Sequence, residues 1–207
     1  MYATADRTRA KPHFCIHLYI GLASRGDQPF MKRGKFHSIA KPIEEISLEL
    51  REPLMWSICD ATSERVTDDI IDRVEARHID KQDLLMQLSW TSNYVLNELL
   101  ENAYKFRAGG PIRVKVEIGA KAVCFFVQHA IDSDRQKSLL RFIDTLEAHK
   151  KQALYLQTLI QNSENPDKKT SKLGFLSMIC DYNIVLGWEI LTDSQPPQLI
   201  TKARYNL

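Results

Sequence analysis

The sequence predicts an α+β fold: a mainly antiparallel sheet with helices on one face. Three observations carry this expectation. Ile112, Val114, Val116 and Ile118 alternate with Arg113, Lys115 and Glu117, so a strand there buries one face and wets the other. Ahead of it, Val66, Ile70 and Val74 repeat every four residues, and Leu88, Val95, Leu99, Ala103 and Phe106 share one helical face. Behind it lie an apolar run of strand length at 122–127 and further segments at 184–190 and 199–205 that read as strands.

In chain order, residues 1–46 hold Gly, Pro and basic residues without clear periodicity and read as an extension, partly mobile, before a domain at 47–207. A strand is expected at 54–59, between Pro53 and Asp60. Thr62 or Ser63 then offers a cap for a first helix, and Asp80 for a second that runs to about Phe106. Ala108-Gly109-Gly110-Pro111 stops it as a glycine C-cap followed by proline. The strand at Ile112–Ile118 turns through Gly119-Ala120-Lys121 into 122–127, which is apolar throughout, like a central strand. Two helical stretches fill 133–162, a polar loop follows at 165–169, and a short helix follows Gly174. Pro196-Pro197 forces a loop between the last two strands, and Trp188 fits the first of them.

Composition narrows the function classes. The chain has 207 residues, 44% hydrophobic and 26% charged, which fits a folded domain and excludes a disordered chain or a disulfide-dense mini-protein. The net charge of +2 gives no long-range attraction to nucleic acid, and no run approaches the ~20 apolar residues of a membrane span. Cys15, Cys59, Cys124 and Cys180 are widely spaced. Only Cys15 has close histidines, His13 and His17, without a second pair further on, so free thiols in a reducing compartment are expected. His17 interrupts the apolar patch 14–22, so a signal peptide is not expected, Met31 offers a second start, and the chain reads as cytoplasmic.

The stretch Asn97-Glu98-Leu99-Leu100-Glu101-Asn102-Ala103-Tyr104-Lys105-Phe106 carries chemistry. Glu98, Asn102 and Lys105 stand at i, i+4 and i+7, one polar stripe beside the apolar one. An Asn oxygen can supply one ligand to Mg²⁺ while phosphates supply others; a carboxylate one turn earlier can polarise a hydroxyl, and a lysine one turn later can neutralise phosphate. The same spacing also suits a solvated polar face.

"ELLENAYKF" at 98–106 resembles the N box of the GHKL family of histidine-kinase-like ATPases. "VCFFVQHAID" at 123–132 sits where that family has its G1 strand and loop, and "SKLGFLSMICDY" at 171–182 resembles its G2 box. The resemblance covers about residues 48–207. It implies a Bergerat-type sandwich with a helical lid insert at 133–170. It also implies ATP and Mg²⁺ as ligands, with Glu98 as base, Asn102 as the metal ligand, and Lys105 and the Gly174 amide on phosphate. The long insert and the closing "MICDYNIVLGWEI" look like the stand-alone bacterial regulators near the SiaB-type protein kinases and the anti-sigma-factor serine kinases. In that group the partner is typically a small STAS-domain protein, phosphorylated on Ser or Thr.

Two positions depart from the pattern. Strand alternation through Phe125 and Val127 puts His129 where the family has the Asp that reads the adenine amino group. A neutral imidazole nitrogen can accept that hydrogen bond; an imidazolium cannot. In the G2 box Lys172 replaces the first glycine, adding bulk and a charge beside phosphate. The resemblance therefore implies either a cytoplasmic ATP-binding signalling kinase or a degenerate, non-catalytic partner-binding module of the same fold, ahead of a plain ATP-hydrolysing module.

Among the remaining candidates, Asp132 and Asp134 suit the cap of the lid helix, or a replacement adenine acceptor. His129 could also serve as phospho-acceptor or metal ligand. His78 and His149 read as solvated, and Trp56, Trp90 and Trp188 as core or interface. Lys168, Lys169 and Lys172 form a basic cluster that suits either a solvated loop or a phosphate. No nucleic acid or membrane is expected as a partner; the sequence leaves the oligomeric state open, a homodimer included.

Overall fold

The structure, a computed structural model, describes residues 30–35, 38–76, 81–164 and 172–207. Its elements run β1 (Phe30–Gly34), β2 (Glu44–Leu50), α1 (Trp56–Glu75), α2 (Gln82–Phe106), β3 (Ile112–Ile118), β4 (Ala122–Ala130), α3 (Ser133–Ala148), α4 (Lys151–Glu164), α5 (Leu173–Cys180), β5 (Val185–Leu191) and β6 (Gln198–Asn206). The six strands form one sheet in the order β1-β5-β6-β4-β3-β2, and every neighbouring pair is antiparallel. The α+β class and the antiparallel sheet thus hold.

One face of the sheet makes the core. Ile112, Val114, Val116 and Ile118 of β3 and Val123, Phe125 and Val127 of β4 bury against Val95, Leu99 and Ala103 of α2. Those α2 residues recur at four-residue steps, so the helix lays one stripe on the sheet. β4 lies between β3 and β6, and burial at nearly every position matches its unbroken apolar run. On the opposite face, the buried Glu117 carboxylate accepts from the Ile39 backbone N–H at 3.1 Å and from Lys115 Nζ at 2.7 Å. A buried carboxylate is tolerated when both kinds of partner are supplied.

Several expected elements differ. The run 54–59 is not a strand, because α1 already begins at Trp56. Cys59, Ser63, Val66, Ile70 and Val74 make one buried face at three- and four-residue steps, and that period absorbs the short apolar run. Thr62 and Ser63 therefore cap nothing; they lie inside α1, and Ser63 Oγ approaches Asn97 Oδ1 of α2 at 2.7 Å. Asp80, the expected cap of the second helix, falls outside the described residues, and Lys81 stands at the N-cap without a side-chain bond. α2 ends at an extended Arg107. Gly109 and Gly110, both at positive φ (85° and 73°), turn the chain two residues later rather than capping the helix. The expected helix after Gly174 includes Gly174 itself. Residues 1–46 supply β1 and the start of β2; β1 adds to the sheet edge through its pairing with β5. The loop 165–169, with Lys168 and Lys169, and His13, Cys15, His17 and His78 lie outside the described residues.

Candidate functional site

β4 delivers His129 to the core-facing side, as alternation from Phe125 and Val127 requires, and the residue is only 3% exposed. Its Nδ1 lies 2.8 Å from the Ala130 carbonyl. A carbonyl oxygen can only accept, so Nδ1 carries the proton and Nε2 of the neutral ring is left as an acceptor. Burial lowers the His129 pKa to about 4; the hydrogen bond to Ala130 opposes this, and the charges of Arg107 and Arg135 add to it. The ring is neutral at physiological pH.

His129 lines a cavity of about 120 Å³ between the C-terminal half of α2, β4, β6 and α3. Its walls are largely apolar, with Leu99, Phe106, Val127, Phe142, Phe175 and Leu199 among them. Asn102, Arg135, Lys172 and Thr201 supply polar groups, and among the described residues no carboxylate lines it. Asn102 Nδ2 donates to the Glu98 backbone carbonyl at 2.8 Å, so the side-chain oxygen is the group left for a ligand. Lys172, at the N-cap of α5, holds Nζ 5.5 Å from the centroid of the Phe142 ring. Arg135 donates to the Arg107 carbonyl at 2.8 Å. Its helix is capped by Asp132, whose carboxylate accepts from the backbone N–H of Asp134 (3.1 Å) and Arg135 (2.8 Å). The capping role expected of Asp132 is the one observed.

Thus Asn102, His129 and Lys172 meet in one cavity, while Glu98, Lys105 and Gly174 are not among the residues that line it. Lys105 is exposed and pairs with Glu101 one turn earlier. Glu98 turns toward α5: a Cβ placed on Gly174 would sit 1.8 Å from Glu98 Oε2. Gly174 has no positive φ, so its lack of a side chain serves this close approach rather than a loop. The Glu98 carboxyl pKa is raised, chiefly by burial, against the pull of Lys105 and a hydrogen bond from Tyr94.

A metal would find the Asn102 amide oxygen here, with the Ser138 and Thr201 hydroxyls as the other side-chain oxygens of the lining. Among the described residues no cluster of three or more His, Cys, Asp or Glu could hold an ion by itself. Mg²⁺ fits such a site only when phosphate and water complete its shell, as it commonly does. Cys59 and Cys124 are buried free thiols and Cys180 is half-buried.

Arg135 and Thr201 are absent from the sequence-based candidates. Thr201 pairs in register with Val127 and interrupts the inward apolar series Leu199, Thr201, Ala203, a signal that alternation carries. Arg135 follows a capping Asp by three residues, which places it in the first turn of α3. Trp188 is buried, whereas Trp56 and Trp90 are exposed, and His149 is exposed as expected. No described helix is long and apolar enough to cross a membrane. Comparison with protein-family models and with curated proteins found no match.

Proposed function

We propose that the chain is a nucleotide-binding signalling module of the GHKL type, cytoplasmic, which takes ATP with Mg²⁺ in the cavity around His129. One observation carries this reading: a neutral His129 with a bare Nε2 faces an apolar cavity whose charged members are both cations. Nε2 accepts a hydrogen bond from a heterocyclic amino group, and the apolar walls take the ring. Arg135 and Lys172 attract the anionic end, which suits a nucleotide better than a neutral or cationic ligand. Asn102 would hold Mg²⁺ through its side-chain oxygen. The bound ion would neutralise phosphate charge. Such a module would act by binding a small regulatory partner, of the STAS-domain kind that the sequence resemblance implies.

The deciding measurement is calorimetric titration with ATP, with and without Mg²⁺, on the wild type and Asn102→Ala. Binding that requires Mg²⁺, and that Asn102→Ala abolishes in an otherwise folded protein, is the expected result. Absence of any purine-nucleotide binding by the wild type rejects the reading.

A second reading, protein Ser/Thr kinase, is favoured by Glu98. It lies one turn before Asn102, and burial raises its proton affinity toward what a general base needs. Against it, the carboxylate lies against Gly174 instead of lining the cavity. Glu98→Gln keeps the shape and removes the basicity. A kinase should then bind ATP and partner normally but transfer phosphate roughly 10²–10⁴-fold more slowly. Unchanged transfer rejects Glu98 as base, and no transfer by the wild type despite partner binding leaves the binding module.

A further inference from the structure

A second cavity shares no lining residue with the one around His129 and is larger, about 390 Å³. That volume falls within the roughly 300–1,000 Å³ of small-ligand sites. α2 supplies Gln87 and Trp90, the turn after α5 supplies Asp181, Tyr182 and Asn183, and β6 ends on it with Tyr205. The turn is held by its own backbone: Asp181 N–H donates to the Ser177 carbonyl at 2.8 Å and Ile184 N–H to the Met178 carbonyl at 2.9 Å. Between them Asn183 takes a positive φ of 53°, which Asn tolerates better than most side chains. Tyr182 is fixed by stacking on Tyr94 of α2, with centroids 4.4 Å and planes 14° apart. Ser177 Oγ at 2.6 Å and the Tyr155 hydroxyl of α4 at 2.5 Å both donate to Asp181 Oδ2. The carboxylate is thereby oriented, and its Oδ1 has no protein donor among the described residues.

Trp90 is 66% exposed, so its indole contributes little to the core and is open to a docked group. Asp181 is the one charged residue of the lining among the described residues. The groove is therefore opposite in sign to the His129 cavity, whose charged members are Arg135 and Lys172. Aromatic faces carry the negative side of the ring quadrupole and add to that sign. At the rim, Arg204 donates through Nε to Asn206 Oδ1 at 3.0 Å, which leaves the carboxamide oxygens of Gln87 and Asn183 as further acceptors of the lining.

We propose that this groove docks an arginine side chain of a partner protein, its guanidinium lying on the Trp90 indole and donating to the Asp181 carboxylate. An anion is repelled by Asp181, and a neutral group leaves that charge unanswered. Between the two cationic side chains, the guanidinium is planar, stacks on aromatic faces and carries five N–H donors, which suits a groove of rings and acceptors; an ammonium has no flat face to stack. Neither the groove nor its test involves nucleotide, so failure of this inference and failure of the nucleotide reading are distinct.

The experiment is an NMR titration of the ¹⁵N-labelled full chain, without nucleotide. The probes are the peptide acetyl-Gly-Arg-Gly-amide and the same peptide with citrulline or lysine in place of arginine. Citrulline keeps the length and the flat head and removes the charge. The arginine peptide should shift the Trp90 indole N–H and the backbone signals of Tyr182 and Asn183 saturably. The citrulline peptide should bind ~10-fold more weakly, the scale of one hydrogen bond to a charged group, and the lysine peptide several-fold more weakly. Read at Asn183, Trp90→Ala should weaken arginine binding by roughly 2–5-fold and Asp181→Asn by ~10-fold. Trp90 is exposed, so its truncation leaves the fold intact; should Asp181→Asn fail to fold, Trp90→Ala and the citrulline peptide decide the question. Absence of shifts at the groove, equal binding of the arginine and citrulline peptides, or arginine binding unmoved by Trp90→Ala overturns the proposal. A lysine peptide that binds as tightly as the arginine one overturns the stacked guanidinium. Self-association that Trp90→Ala abolishes, with no response to the arginine peptide, gives the groove to a second copy of the chain and overturns the proposal as well.

Discussion

Replacing Gly174 by alanine separates what the glycine does for the helix from what it does for Glu98. The added Cβ would lie 1.8 Å from Glu98 Oε2 and 2.6 Å from its Cδ, against 3.4 Å for ordinary contact, so the carboxylate must retreat by roughly 1.6 Å. The three closest atoms all belong to the Glu98 side-chain end and none to backbone, so the side chain moves and the helices need not. Alanine in a helix interior is worth about 1 kcal/mol over glycine. Moving the buried Glu98 side chain out of this overlap is an overpacking cost of about 1–3 kcal/mol. Gly174→Ala should therefore destabilise by up to about 2 kcal/mol, yet in a Glu98→Ala background it should stabilise by about 1 kcal/mol. Urea unfolding of the four proteins reads the coupling directly. A loss above about 3 kcal/mol that persists without Glu98 would show that Gly174 is needed by backbone packing and refute the reasoning.

Two further outcomes can be checked in vitro. Unfolded His129 titrates near 6.5 and folded His129 at about 4, so between these values the unfolded chain binds a proton that the folded one does not. Stability should fall as pH drops through that window and level off below it, by on the order of 3 kcal/mol, and His129→Gln should remove this increment from urea midpoints at pH 7.5 and 4.5. An identical pH dependence in both proteins refutes the assignment. Lys172→Ala should weaken ATP binding several-fold, more in low salt than in high salt, and a salt-independent change would mean that its contact with Phe142 matters more than its charge.

Legibility in the sequence follows the period of the pattern. β3 and β4 are plain because strict alternation and an unbroken apolar run of strand length fit little besides a strand. The start of α1 is hidden because Leu54 to Cys59 is short, and a short apolar run cannot be told from a helix end by periodicity. β2 carries its own signal, with Ile46, Leu48 and Leu50 alternating with Glu45, Ser47 and Glu49, but it straddles the expected boundary of the domain. β1 offers little to read: an edge strand of five residues is specified by backbone pairing more than by side chains. At the site, alternation places His129 correctly. Helical spacing puts Glu98 and Asn102 on one stripe but cannot say that the first turns to α5 and the second to the cavity. That division depends on a glycine 76 positions away from Glu98, at Gly174, and no local pattern reports it.

The Ala130 carbonyl oxygen has two donors, His129 Nδ1 at 2.8 Å and the Ala108 backbone N–H at 2.9 Å. The next residue, Ile131, donates to the Pro197 carbonyl at 2.9 Å, and Arg135 reaches back to Arg107. The end of α2, the end of β4 and the approach to β6 are thereby pinned to one another through main-chain atoms, and the first turn of α3 joins them through the Arg135 side chain. The cavity accordingly has a fixed jaw, in which the spacing between the Asn102 and His129 backbones is set by these bonds. A ligand spanning those two residues meets a ruler, and whatever accommodation it demands falls to the opposite jaw, where Lys172 and Phe142 meet by side chains alone.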